Sequence, residues 1–290
     1  MQWLHDYRKR EIELIFRRCP EKLFQRGLEL GAGDGYQSTL LSKYSVRLIS
    51  TEPNGRILTR ENTADVEYLV CSAETALERF DARSFDVVFS SNLLEHVNDP
   101  LPVLRSIHRV LKDNGITIHV IPGPFWKVCQ MALHVPVTVM VTLERIMRAG
   151  KVGGALKEIK DILRETWQGI TTGSNSTIEY LYEKEMAQGN NPGISRERPS
   201  FWAHLVLPRP HGVSRRNADE MEAFSRRRWL QEFDRAGFEC LAVRKGPVAS
   251  GYGLGWHRIV FALETMGLAS EFIYVAAKKG YPGNDAGFFI

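Results

Sequence analysis

The segment Gly27–Tyr44, GLELGAGDGYQSTLLSKY, constrains the fold of this 290-residue chain more than any other. An apolar run stops at Leu30, the glycine-rich stretch Gly31, Ala32, Gly33, Asp34, Gly35 follows, and apolar residues then resume at helical spacing. That order reads as strand, tight loop and helix. Glycines belong in such a loop because a Cβ would keep the backbone from approaching a ligand, and the following helix N-terminus favours a carboxylate or phosphate nearby. The pattern is GxGxG. The dinucleotide fingerprint GxGxxG requires a third glycine where this chain has Tyr36.

Short apolar runs alternate with helical stretches around this motif. Strands are predicted at Gly27–Leu30, Val46–Thr51, Val66–Cys71, Phe85–Ser90 and Ile116–Ile121. The helix before the last of them is the most clearly marked. Asn98 or Asp99 can cap it, Pro100 suits its first turn, and Leu101, Leu104, Ile107, Val110 and Leu111 form its apolar face. Residues 4–18 predict an opening amphipathic helix that packs ahead of the first strand. The rhythm stops after Pro122 and resumes with a helix at Ala223–Ala236, strands at Phe238–Arg244 and Phe272–Ala277, and a glycine-rich connection around Gly251–Gly255 between them. The expected fold is therefore α/β, Rossmann-like, with a seven-stranded mostly parallel sheet, an antiparallel C-terminal strand and a largely helical insertion after strand five. Residues 1–25 carry the N-terminal helix, 26–122 and 223–280 the core, and 123–222 the insertion. The tail 281–290 has turn residues and no periodicity.

Composition narrows the partners. The 38 Lys and Arg against 34 Asp and Glu leave a net charge of +4, too small to predict a dominant basic patch, so no nucleic-acid partner is expected. The four cysteines, Cys19, Cys71, Cys129 and Cys240, are scattered without a CxxC pair, which points away from zinc and disulfides and towards a reducing, cytoplasmic setting. No metal-ligand cluster is expected. The N-terminus lacks the continuous apolar stretch of a secretory signal. The longest uncharged run, between Lys127 and Glu144, is short for a membrane span and contains Gln130, His134 and Pro136.

Two further strand ends converge on the glycine loop. Glu52, closing LISTE, offers a carboxylate that can accept hydrogen bonds from both ribose hydroxyls of a nucleoside, and CSAET places Ser72, Ala73 and Glu74 where an adenine edge would lie. Taken in order, ELGAGDG, STEPN, CSAE, FDVVFSSNLLEHVNDP and LRSIHRVLKDNGITIHVIPG resemble a class I S-adenosylmethionine-dependent methyltransferase of the type 11 kind. The resemblance covers about residues 25–122 well and the closing hairpin loosely. It implies S-adenosylmethionine as cofactor, with Glu29 and the Gly31–Ala32–Gly33 backbone on the methionine portion, Glu52 on the ribose, Pro53 and Ala73 around the adenine, and Ser72 and Glu74 flanking it. Asn92 and Leu93 would lie beneath the sulfonium. His96, beside Glu95, is the first candidate for a general base, with a loop-organising role as its structural alternative. His119 is expected to be packed within its strand.

The insertion would govern the acceptor. For residues 125–148 three readings compete: a lid over the site, a homodimer contact, and a peripheral membrane-surface helix, which would add membrane association to the cytoplasmic setting. His211 and Tyr252 are candidates to face the acceptor. The layout resembles methyltransferases of bacterial surface-polysaccharide pathways, which implies O-methylation of a sugar or glycan, nucleotide- or lipid-linked. A small metabolite or quinone-like ring is the alternative acceptor. Readings of another class are an NAD-dependent oxidoreductase, opposed by Tyr36, and a non-catalytic S-adenosylmethionine-binding protein, opposed by the intact loop.

Overall fold

The computed structural model describes residues 2–134, 217–249, 257–283 and 285–289. A seven-stranded sheet runs through them: β1 (Phe24–Leu30), β2 (Ser45–Thr51), β3 (Val66–Leu69), β4 (Phe85–Ser91), β5 (Leu111–Pro122), β6 (Phe238–Lys245) and β7 (Glu271–Lys278), in spatial order β3-β2-β1-β4-β5-β7-β6. The pairs β1–β2, β1–β4, β2–β3 and β4–β5 are parallel, whereas β7 runs antiparallel to both β5 and β6. This is the expected Rossmann-like sheet with its antiparallel C-terminal strand. The order reverses beside β1, so the C-terminal ends of β1 and β4 flank the crevice where open α/β sheets bind ligands.

The alternation of side chains along each strand divides the core in two. One face takes Leu28, Leu30, Val88 and Tyr274 and is covered by α3 (Ala73–Arg79), α4 (Pro100–Val110) and α6 (Arg226–Arg235). The other takes Leu48, Val87, Phe89, Ile118, Val120, Ile273 and Val275 and is covered by α1 (Gln2–Phe16) through Ile12, Ile15 and Phe16 and by α2 (Tyr36–Leu41) through Leu41. Near-continuous burial of the strands on both faces follows from this sandwiching. Asp99 caps α4 by accepting from the Leu101 amide at 3.1 Å, and Pro100 opens the helix, as its sequence predicts.

Several expectations need correction. The helix expected at Ala223–Ala236 is α6, starting three residues later because Ser225 leaves helical geometry and caps it by accepting from the Arg228 amide; a separate helix, α5 (Asn217–Ala223), ends where the expected span begins. β5 starts at Leu111 and includes Gly115, with a register shift between Phe85 and Val87 on its partner strand. A further helix, α7 (His257–Thr265), precedes β7. The tail is ordered into a 3-10 turn, Asp285–Phe288, and plants Phe289 in the core against Phe16 and Phe24.

Helix α1 does more than precede the first strand. Arg10 forms a two-pronged ion pair with Glu264 of α7, the Tyr7 hydroxyl donates to the Pro247 carbonyl at 3.2 Å, and Arg8 donates to Ser91 at the end of β4. The helix thus spans the sheet face and brings its polar N-terminal half to the ligand edge. Residues 124–134 are helical, and Lys127 forms a fully buried ion pair with Glu220 of α5 at 2.7 Å. The rest of the segment 125–148 lies outside the described residues, as do most of the expected insertion and the connection around Gly251–Gly255. Among the described residues, no helix is long and apolar enough to cross a membrane.

Candidate cofactor site at the ends of strands one, two and four

The glycine loop leaves β1 under backbone control. Gly31 and Ala32 donate to the Thr51 carbonyl at 2.9 and 2.8 Å, fastening the loop across the end of β2. Gly31, Gly33 and Gly35 all hold positive φ, of 81°, 57° and 80°, where an L side chain is strained. A Cβ on Gly31 would press on Leu93, and one on Gly35 would collide with Arg60, whereas one on Gly33 would meet nothing within 4 Å. Gly33 is therefore the point at which the loop offers bare backbone to open space.

Glu52, at the end of β2, is fully buried, and its two carboxylate oxygens accept from the Gly33 amide at 2.9 Å and the Asn54 amide at 3.0 Å. A carboxylate oxygen can accept more than one hydrogen bond. Glu29, in β1, is buried beneath the loop. One oxygen accepts from Ser38 of α2 and from Ser50 of β2, while the other has no hydrogen-bond partner. Burial pushes the Glu29 carboxyl up to about 7; the two serines pull it down, and the nearby Glu52 and Glu11 carboxylates add to the rise.

Pro53 is exposed on the connection after β2. Ser72 caps α3 by accepting from the Thr75 amide at 3.2 Å, with Ala73 buried beneath and Glu74 exposed in the first helical turn. Asn92 ends β4 in the left-handed region at φ 50°, its amide donating to Val120 at 2.9 Å, while its side-chain oxygen is buried without a partner. Leu93 packs against Gly31. His96 and Glu95 lie in the turn Leu94–His96, 3.8 Å apart, with the imidazole largely covered. The structure thus gathers Glu29, the loop, Glu52, Asn92 and Leu93 at one crevice, with Ser72–Glu74 at the neighbouring strand end. His211 and Tyr252 lie outside the described residues. His119 is packed: Ser90 and Thr117 hold its two ring nitrogens at 2.7 and 2.6 Å, and burial lowers its basicity to about 3, so it stays neutral.

Residue reasoning passed over the groups that α1 brings. His5 meets Asp34 of the glycine loop at 2.7 Å and stacks on Tyr36, with ring centroids 4.1 Å apart. Arg8 reaches Ser91, and Glu11 accepts from Gln37 of α2 at 2.7 Å. Arg8 and Glu11 continue the helical stripe of Ile12 and Ile15, the signal that could have placed them on the sheet.

The chemistry of this crevice fits a nucleoside with a polar aliphatic tail: bare backbone at Gly33, a ribose-ready carboxylate at Glu52, and unpartnered buried oxygens at Glu29 and Asn92. Residues 28–119 match the family described as "Methyltransferase domain". That match covers about a third of the chain, and the cofactor that such a domain implies is S-adenosylmethionine. The "Ubiquinone biosynthesis O-methyltransferase" of Ruegeria pomeroyi is 31% identical over 123 residues, 39% of this chain and 49% of that protein. This chain thus spans about half the length of that relative. The zebrafish, Danio rerio, "Arginine-hydroxylase NDUFAF5, mitochondrial" is 32% identical over 103 residues, 35% of this chain and 32% of its own. Among solved structures, an S-adenosylmethionine-dependent methyltransferase from Mesorhizobium loti superposes with a TM-score of 0.50 at 13% identity, over 93% of this chain and 99% of that one. That likeness shows the fold.

Proposed function

We propose that this chain transfers the methyl group of S-adenosylmethionine to a hydroxyl of a small-molecule acceptor. The observation that carries the reading is the convergence of the Gly31–Gly35 loop, open at Gly33, with the Glu52 carboxylate and the unpartnered Asn92 oxygen at the sheet's reversal point. When bound, S-adenosylmethionine supplies an electrophilic methyl carbon. Held by the Gly31–Gly35 loop and Glu52, it would supply that methyl group to the acceptor oxygen, whose proton would then need a recipient. The chain's own contribution is to hold the reactants in line and to accept the proton. His96, backed by Glu95, is the candidate recipient of that proton.

A small ring bearing a hydroxyl is the favoured acceptor. The relatives named as ubiquinone O-methyltransferases support that class, and no observation favours the sugar or glycan implied by the polysaccharide-pathway resemblance. The zebrafish relative named as a hydroxylase matches within the same core, so the cofactor domain alone does not fix the chemistry.

Calorimetric titration of the purified chain with S-adenosylhomocysteine, using NAD as control, tests the reading without needing the acceptor. Saturable binding of the first and none of the second is expected. NAD binding without S-adenosylhomocysteine binding would sink it.

A further inference from the structure

The ladder between β1 and β4 stops at the pair Leu30 and Ser90. Beyond it the two chains part, β1 into the glycine loop and α2, β4 into Ser91 and Asn92, and the crevice opens between them. Past this point the ladder's own bonds no longer fix the distance across the crevice. On the sheet face that α1 covers, a line of side-chain hydrogen bonds crosses the parting. Its ends are Gln37, in the first turn of α2, and Ser91, which continues the parity of Val87 and Phe89 towards α1.

Arg8 and Glu11 of α1 stand between the ends. The Gln37 side-chain amide donates to one Glu11 oxygen at 2.7 Å, Arg8 donates to the other at 2.5 Å, and the same Arg8 nitrogen donates to the Ser91 hydroxyl at 2.7 Å. Glu11 is fully buried, Gln37 is buried, and the Arg8 side chain is 17% exposed. A buried ion pair returns little stability once desolvation is counted, whereas its charge-assisted bonds hold their partners in fixed directions. On the loop side the line runs on into the cofactor crevice. Gln37 precedes Ser38, whose hydroxyl donates to the buried Glu29 carboxyl beneath the loop, and α1 grips the loop again through His5 on Asp34 and Tyr36. The helix is thus joined to the loop and α2 at two points and to the end of β4 through Arg8.

We propose that Arg8 and Glu11 are positioning residues: together they form a crosspiece that sets how far the glycine loop and α2 stand from the end of β4, and so how tightly the crevice between them holds its cofactor. Neither residue touches the cofactor in this assignment; each acts through its partner, Glu11 through Gln37 and Arg8 through Ser91. The inference rests on the methyltransferase reading above and adds to it the pair that fixes the width of the cofactor crevice.

The test cuts the crosspiece at its neutral ends. Gln37→Met and Ser91→Ala each remove one end and leave Arg8 and Glu11 in place. Arg8 is kept because its charge also acts on Glu271, at the start of β7, and its removal would leave the Glu11 and Glu271 carboxyls facing each other without it. Affinity for S-adenosylhomocysteine is measured by calorimetry on the full chain, with urea unfolding of each variant alongside. Each single variant is expected to weaken binding about fivefold or more, and the double variant to lie within about twofold of the weaker-binding single, because a line cut once no longer transmits. Ser91→Thr, which keeps the hydroxyl, should bind as the wild type does. A contact that only adds stability would lower the unfolding midpoint and leave the affinity of the folded chain unchanged. That result in both single variants would overturn the crosspiece, as would losses that multiply in the double variant, the mark of two separate contacts. If Gln37→Met does not fold, Ser91→Ala against Ser91→Thr carries the test, and equal affinities would overturn it. Each of these refutations leaves the methyltransferase reading standing, whereas a wild type that binds no S-adenosylhomocysteine would overturn both.

Discussion

Glu29 gives the sharpest handle on the energetics of the crevice. Its carboxyl titrates at about 7 in the folded chain, because burial outweighs the hydrogen bonds from Ser38 and Ser50, whereas in the unfolded chain it titrates at its ordinary 4.5. Between these two values the folded state binds the proton more tightly, so stability falls as pH rises through the window. The difference of about 2.5 units corresponds to about 3 kcal/mol, all of it lost by pH 7.5 and none of it below pH 4.5. Glu29→Gln removes the titrating group and keeps a carbonyl oxygen for the serines. Urea unfolding of wild type and variant at half-unit steps from pH 4 to 8.5 should show the variant gaining about 3 kcal/mol relative to wild type across this window. The two curves should run parallel outside it. A difference constant to within about 1 kcal/mol from pH 4.5 to 7.5 would refute the argument that burial controls this carboxyl.

His119 provides the opposite slope. Its basicity falls from 6.5 to about 3 on folding, so stability should drop as pH falls from 6.5 towards 3, by up to about 5 kcal/mol, and His119→Gln should lose that dependence in the same unfolding series. Glu52→Ala orphans the Gly33 and Asn54 amides and should weaken S-adenosylhomocysteine binding by about 2–4 kcal/mol, read by calorimetry, with Glu52→Gln falling between; unchanged affinity would remove Glu52 from the site. His96→Ala should abolish methyl transfer in a radiolabel assay while keeping cofactor affinity, and surviving turnover would exclude His96 as the base.

The sheet was largely legible because its information is local. Strands buried on both faces write continuous apolar runs, Asp99 and Pro100 announce α4, and three glycines in five residues mark the loop. What could not be read depends on contacts distant in sequence. Phe289 looks like an irregular tail until Phe16 and Phe24 are placed beside it, and α7 was masked by the glycine-rich segment ahead of it. Ser225 starts α6 at Arg226, three residues after the start that the apolar period suggests. The role of α1 was missed for a related reason. Arg8 and Glu11 sit on a helix rich in charge, where a charged residue ordinarily faces water, and only the register of β7 shows that Glu271 waits opposite. The site residues that were legible lie within a few positions of a strand end, whereas the missed ones join the crevice through the third dimension.

The carboxyl groups that line this edge also bear on why a methyl donor would suit it. Glu11, Glu29, Glu52 and Glu271 are all buried on or beside one crevice, and Glu11 and Glu52 both raise the Glu29 carboxyl, so the three share one electrostatic field. Arg8 offsets part of it at Glu11 and Glu271. Burial drives the Glu29 and Glu271 carboxyls towards their protonated forms, and a cation brought close to them would be stabilised because it lets them ionise. S-adenosylmethionine carries a sulfonium cation, and S-adenosylhomocysteine, after transfer, does not. A field that reaches the sulfonium would favour substrate over product. It also makes binding proton-linked: the cationic cofactor should expel more protons from the crevice near pH 7 than the product does. Calorimetry in two buffers of different ionisation enthalpy would read that difference directly, and equal proton release for the two ligands would show that the field does not reach the sulfonium.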